Sequence, residues 1–180
     1  MRVRIHWIAA GLLCCSAAQM QGTGTGVPGM LIPPVHGTVL SGSAVELPDA
    51  LRGKTGVLVI GFSQGSRDQV ATWGRRLEVD YRGSSTVTYY EMAELASVPR
   101  FLRGLVLKKI REDVPQGAQE RFLPVFDHEA DWKTATGFRS ANDAYVLVVN
   151  GNGTVRWRTA GIASDTAYAE VKRQIAEARP

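Results

Sequence analysis

Apolar positions follow two rhythms along this chain, and the changes between them mark its elements. Gly56-Val-Leu-Val-Ile-Gly-Phe62 is an unbroken apolar run rich in β-branched residues, the pattern of a strand buried on both faces. The spacing then stretches to three and four. Val70, Trp73, Gly74 and Leu77 share one face of a helix, with Ser66 as its expected cap and Asp68 in its first turn, near the positive end of the dipole. Ser85 to Met92 reads as a second strand. Ser97-Val-Pro99 opens a second helix, Ser97 capping it and Pro99 sitting in its first turn. Phe101, Leu102, Leu105, Val106 and Ile110 fall on one side of that helix, the side expected to pack on the core, and Arg100, Arg103, Lys108, Lys109 and Arg111 line the rest.

Beyond Pro115-Gln-Gly the pattern predicts a short strand at Leu123-Pro-Val-Phe126 and a short helix from Glu129 to Ala135. Ala144-Tyr-Val-Leu-Val-Val149 and Thr154-Val-Arg-Trp-Arg158 flank Asn150-Gly-Asn-Gly153, so they form a β-hairpin. Ser164 and Asp165 cap a closing helix that turns Ala167, Tyr168, Val171 and Ile175 inward. Ahead of all this, Gly37 to Pro48 holds an edge strand or hairpin. The order predicts an α/β fold in which a mixed central sheet carries helices on both faces.

The first residues change the chemistry available to the rest. Met1-Arg-Val-Arg is positive, Ile5 to Cys15 is apolar and uncharged, and Ser16-Ala17-Ala18 supplies small residues for cleavage. Residues 1–18 therefore read as a secretory signal peptide, too short in its apolar part to span a bilayer. Residues 19–36, rich in Gly, Thr and Pro, read as a flexible lead-in, and residues 37–180 as a single domain. An exported protein, periplasmic or extracellular, is expected. Cys14 and Cys15 are the two cysteines of the chain, and both fall inside the signal. Disulfide exchange and peroxide reduction by a protein thiol need a thiolate, which the cleaved chain would lack. Without Arg2 and Arg4 the chain carries 19 basic and 17 acidic residues, a balance that does not point to nucleic acid. With only His36 and His128 left beyond the signal, no metal site is expected, and no glycine-rich phosphate loop calls for a nucleotide or other cofactor.

Gly61-Phe62-Ser63-Gln64-Gly65 is a literal G-x-S-x-G at a strand-to-helix turn, which is where an α/β-hydrolase holds its nucleophile. Ser63 as nucleophile with His128 as base is thus an enzyme reading. The layout opposes it, because only Gly37 to Thr55 precedes the motif, room for one or two short strands where that fold needs several. His128, in Phe126-Asp-His-Glu beside further carboxylates, fits a solvated loop.

The order of elements resembles the thioredoxin-like fold, a three-layer α/β/α arrangement with a mixed central sheet and a C-terminal β-hairpin plus helix. In redox members of that fold the loop after the central strand carries Cys-x-x-Cys; the matching residues here are Ser63-Gln-Gly-Ser66. Redox members also place a cis-proline ahead of a later strand, where this chain has Asn142-Asp-Ala-Tyr145. Phe62-Ser63 with Trp73, Arg100-Phe-Leu-Arg-Gly-Leu105, Tyr145-Val-Leu-Val-Val149, Val155-Arg-Trp-Arg158 and Gly161 are similar to the ATP-synthase assembly factor type of this superfamily over residues 37–178. The resemblance implies a module acting by contact with a protein partner, Ser63, Gln64, Ser66 and Arg67 offering polar groups at the loop. A thiol oxidoreductase or peroxiredoxin-like activity follows only if the family's redox chemistry is carried over whole. Peripheral membrane contact through Arg103, Lys108 and Lys109 is a further expectation for the basic helix.

Overall fold

The computed structural model describes residues 29–178, so the expected signal peptide, with Cys14 and Cys15, lies outside the described residues. In chain order the elements are β1 (Val35–Thr38), β2 (Ala44–Leu47), β3 (Thr55–Gly61), α1 (Arg67–Tyr81), β4 (Val87–Glu94), α2 (Arg100–Asp113), β5 (Phe122–Val125), α3 (Glu129–Thr136), β6 (Ala144–Val149), β7 (Val155–Ala160) and α4 (Asp165–Glu177). β1 and β2 pair as a separate antiparallel hairpin. The main sheet has the order β5-β4-β3-β6-β7; β3, β4 and β5 run parallel, and β6 and β7 run antiparallel to their neighbours.

Every residue of β3 and of β6 is buried. Alternation sends Val57, Val59, Val146 and Val148 to one face, where they meet Val70, Trp73 and Leu77 of α1 and Tyr168, Val171 and Ile175 of α4. Leu58, Ile60, Tyr145, Leu147 and Val149 go to the other, where α3 and the β1–β2 hairpin cover them through Trp132, Ala135, Val35, Val45 and Leu47. The unbroken apolar runs are thus strands with two dry faces, not one. Two polar ties fix the helices of the first face: Trp73 Nε1 donates to the Gly161 carbonyl at 2.9 Å, and the Tyr168 hydroxyl donates to the Arg76 carbonyl at 2.7 Å. α3 ends on Gly137 at φ 64°, and Arg158 Nη1 reaches over it to the carbonyls of Thr134 and Ala135 at 3.2 and 3.0 Å.

Three local expectations change. The domain takes in residues ahead of Gly37, because Ile32 and Val35 are buried and Ile32 N–H bonds the Gly153 carbonyl at 2.9 Å. Ser97 does not cap α2, which begins at Arg100 after Pro99 with no side-chain cap. The greatest change is the facing of α2. It has no buried residue; Arg103, Val106, Leu107 and Ile110 turn toward the domain, half-buried, while Phe101 and Leu105 stand 85 % and 67 % exposed. The five apolar residues span about half of the helical wheel, and the side that packs is rotated from it, keeping Val106 and Ile110 and adding Arg103 and Leu107.

The face under α1 also holds a charge. Glu91 of β4 is 6 % exposed, and its carboxylate lies over Gly74, where a Cβ would overlap it. Burial pushes its carboxyl up from 4.5 to about 7, with Arg75 pulling down and Glu78 pushing up. Glu78 is itself held by the Tyr89 hydroxyl, and Arg121 lies over the Tyr89 ring. A folded pKa above the ordinary one means the stabilising contribution is full below pH 4.5 and lost as pH rises through about 7. Glu91→Gln is therefore expected to raise stability by about 1–3 kcal/mol above neutral pH and to change it little in mild acid, read from denaturation midpoints across pH. Gly74→Ala is expected to destabilise despite alanine's helix preference of about 1 kcal/mol, and to become neutral or stabilising in a Glu91→Ala background.

Candidate functional site

The apolar run of β3 ends at Gly61 and delivers Phe62 and Ser63 to the rim of the sheet. A Cβ at Gly61 would press on Ser66 Oγ at 2.7 Å, so glycine lets the chain fold back on itself here. Residues Gln64–Ser66 make one tight turn, and α1 starts at Arg67. The sequence assigned the helix cap to Ser66. The structure moves capping to Ser63, whose Oγ accepts from Gly65 N–H at 3.1 Å, while Ser66 is fully buried and donates to the Ser63 carbonyl at 2.9 Å. The turn inserted before the helix shifts the cap three residues upstream.

Against this loop lies the segment 138–143 that leads into β6. Ser63 Oγ donates to the Ala141 carbonyl at 2.8 Å, with Asn142 Oδ1 at 3.4 Å. Asn142 fills the space beside Gly65, where a Cβ would collide with its side-chain amide. Gln69 of α1 joins both chains, donating to the Asn142 carbonyl and accepting from Ala144 N–H, each at 3.1 Å. The segment is shaped from below by Tyr145. Its hydroxyl accepts from Arg139 and Ser140 N–H at 2.8 and 2.9 Å and donates to the Ser140 carbonyl at 2.9 Å. Its ring packs with Phe62 and Phe138, centroids 5.6 and 5.8 Å away. Gln69, Asn142 and Tyr145 are the positioning residues that sequence reading missed. Tyr145 stands in the apolar run of a strand, and nothing in its spacing reveals a hydroxyl turned to a loop.

Of the four loop residues expected to bind, the structure brings Ser63, Gln64 and Arg67 to the surface and buries Ser66. Arg67 is engaged, at 2.9 Å from Asp113 at the end of α2. Lys109, at 3.0 Å, shares that carboxylate, and the two cations hold it below the usual carboxylate range, Lys109 most strongly. Gln64 carries no side-chain hydrogen bond among the described residues.

The pairing of Ser63 with His128 does not form. Ser63 is spent on the Ala141 carbonyl, whereas His128 sits before α3 at φ 64° with Nδ1 3.2 Å from Asp131. His128 lines a groove of about 490 Å³ between β1, α2 and residues 124–128, and Ser63 is not part of it. β3, which carries the G-x-S-x-G, is also the first strand of the main sheet in chain order, unlike the strand of a hydrolase elbow. Among the described residues no group of three or more His, Cys, Asp and Glu is placed to hold a metal ion. The expected basic contact set is revised too: Arg103 turns inward, Nε donating to the Val98 carbonyl at 3.1 Å and its guanidinium over Phe126, and Lys109 is ion-paired, so of the three only Lys108 is without a partner among the described residues.

The sequence pattern of the ATP10 protein family matches residues 29–176. The chain belongs to that family. A search of the curated proteins finds no match. Among solved structures, a putative thiol:disulfide interchange protein DsbE from Chlorobium tepidum superposes with a TM-score of 0.59 at 16 % identity, covering 87 % of this chain and 100 % of that one. An uncharacterized conserved protein from Geobacillus kaustophilus gives 0.58 at 15 % identity, covering 88 % and 87 %. The exposed lipoprotein thioredoxin Etrx1 from Streptococcus pneumoniae gives 0.54 at 12 % identity, covering 79 % and 99 %. At these identities the neighbours show the fold, which is thioredoxin-like. This ATP10-family chain is thus an assembly-factor-like protein with the thioredoxin-like fold. No helix among the described residues is long and apolar enough to cross a membrane.

Tyr145→Phe is expected to leave the fold intact, to lower stability by about 1–3 kcal/mol through the orphaned amides, and to speed amide hydrogen exchange at residues 139 and 140. Unchanged exchange there would mean that the hydroxyl does not hold the loop.

Proposed function

We propose that this ATP10-family chain is an exported, non-redox binding or assembly module that works by protein contact at the end of β3. One observation carries the reading: the turn that would hold a redox pair holds Ser63 and Ser66 instead, each hydrogen-bonded within the protein. A hydroxyl donating to a backbone carbonyl has neither the thiolate of an oxidoreductase nor the base of a hydrolase. The ledge formed by residues 63–67 and 138–143 is cross-linked by the hydrogen bonds of Ser63, Gln69 and Tyr145, and such preorganisation lowers the entropic loss of ordering an extended partner along it. Gln64 offers an amide with two donors and an acceptor, Arg139 is exposed with no ion pair among the described residues, and Ile162, 68 % exposed beyond the β7 strand, adds an apolar contact at the same end of the sheet. Ser63 and Arg67 contribute by holding the ledge in shape. Signal-peptide cleavage near Ala18 would remove both cysteines and leave contact as the chain's only chemistry.

Photo-crosslinking residues placed at Gln64 and Ile162 are expected to trap the same protein partner in extracts of the native cell, and one at Asn152, in the opposite hairpin turn, to trap none. Equal trapping from all three positions would sink the loop as the contact site. Mass spectrometry of the exported chain is expected to find no peptide containing Cys14 or Cys15; recovery of both in the mature protein would reopen thiol chemistry.

A further inference from the structure

α2 presents a second surface, separate from the loop, whose composition points to a different kind of partner. Helices of a domain this size ordinarily bury an apolar stripe, and α2 buries no residue at all. Its outer face begins with Arg100, then Phe101 at 85 % and Leu105 at 67 % exposed, with Lys108 following one turn on and Leu102 half-covered at the flank. Gly104 lies between the two apolar residues, and a Cβ built there would meet open space. Neither Arg100 nor Lys108 has an ion pair or a side-chain hydrogen bond among the described residues, whereas the neighbouring cations are engaged: Arg67 and Lys109 share Asp113, Arg111 donates to the Leu40 carbonyl at 3.2 Å, and Arg103 donates to the Val98 carbonyl at 3.1 Å. A large exposed aromatic and a leucine one turn apart, bracketed by free cations with long stems, fit the interface of an anionic bilayer: rings and methyls enter the acyl boundary while the cations reach the phosphates. Glu112, on the same face farther along, ends the compatible stretch and tilts the contact toward the first two turns.

We infer that the N-terminal half of α2 is a lipid-docking surface that seats this domain on an anionic membrane through Phe101, Leu105, Arg100 and Lys108. The contact is peripheral, since no described helix can span a bilayer. It sets the side of the domain that faces lipid and leaves the ledge at Gln64 to a protein partner.

Flotation of the full chain with vesicles tests it, comparing phosphatidylcholine alone with phosphatidylcholine mixed with phosphatidylglycerol. Binding is expected on the anionic vesicles at low salt and to weaken as salt rises. Arg100→Glu with Lys108→Glu is expected to cut the partition roughly tenfold or more, Phe101→Asp with Leu105→Asp to cut it similarly at every salt concentration, and Glu112→Lys to strengthen it. All these side chains are exposed, so circular dichroism and thermal midpoint are expected to stay as in the parent. Amide hydrogen exchange must localise the contact, since the apolar run near the N-terminus can itself meet lipid. Vesicle-dependent protection over residues 100–108 supports the assignment. Protection confined to residues before 29, partition indifferent to the α2 substitutions, or retention on an acidic protein surface without vesicle binding overturns it.

Discussion

β3 and β6 lie side by side with no face left for water, and the domain is built to satisfy that demand. Two strands buried on both faces need two layers of cover, and the chain supplies them from opposite ends: α1 and α4 on one side, the early hairpin and α3 on the other. Because each layer excludes water from the same pair of strands, neither can leave without exposing the other's support. The backbone at the upper end of β3 is therefore fixed in place, and with it the turn at Ser63.

That fixed turn explains how a thioredoxin-like scaffold persists without sulfur in its working loop. The position has not been left empty. Ser63 ties the loop to the segment before β6, Ser66 fills the space beneath, Asn142 closes on Gly65, and Gln69 clamps the two chains from the helix. Hydrogen-bonded hydroxyls and amides hold the loop where thiols would make it reactive. The same geometry that could present a nucleophile here presents a hydrogen-bonded polar edge, on which the proposed contact function rests.

Much of this is legible in the amino-acid sequence. The apolar runs at residues 56–62 and 144–149 and the Asn-Gly turn between two strand patterns marked the sheet, because buried strands are continuous and hairpins need positive φ; Gly153 adopts φ 79°. The Ser164 cap was legible for the same local reason, and its Oγ accepts from Ala167 N–H at 3.1 Å. The α2 face was not. Helical spacing says which residues share a side, but whether the sheet extends far enough to cover that side depends on β5, a four-residue edge strand with little surface to offer. The site's clamps were hidden for a different reason: Ser63 and Asn142 are 79 residues apart, and no local pattern ties a glutamine in a helix to an asparagine ahead of a strand.

One modest feature has a protective effect. Met30 to Ile32 lies antiparallel beside the start of β7, with Val155 N–H on the Met30 carbonyl at 2.8 Å and Leu31 bridged to Thr154. An outermost strand is a template on which a stray chain can polymerise. By occupying the first rungs of that ladder with its own backbone, and by following them with the charged Arg156 and Arg158, the protein denies foreign strands a starting register. A few residues outside the main sheet thus guard it against growing into a fibre.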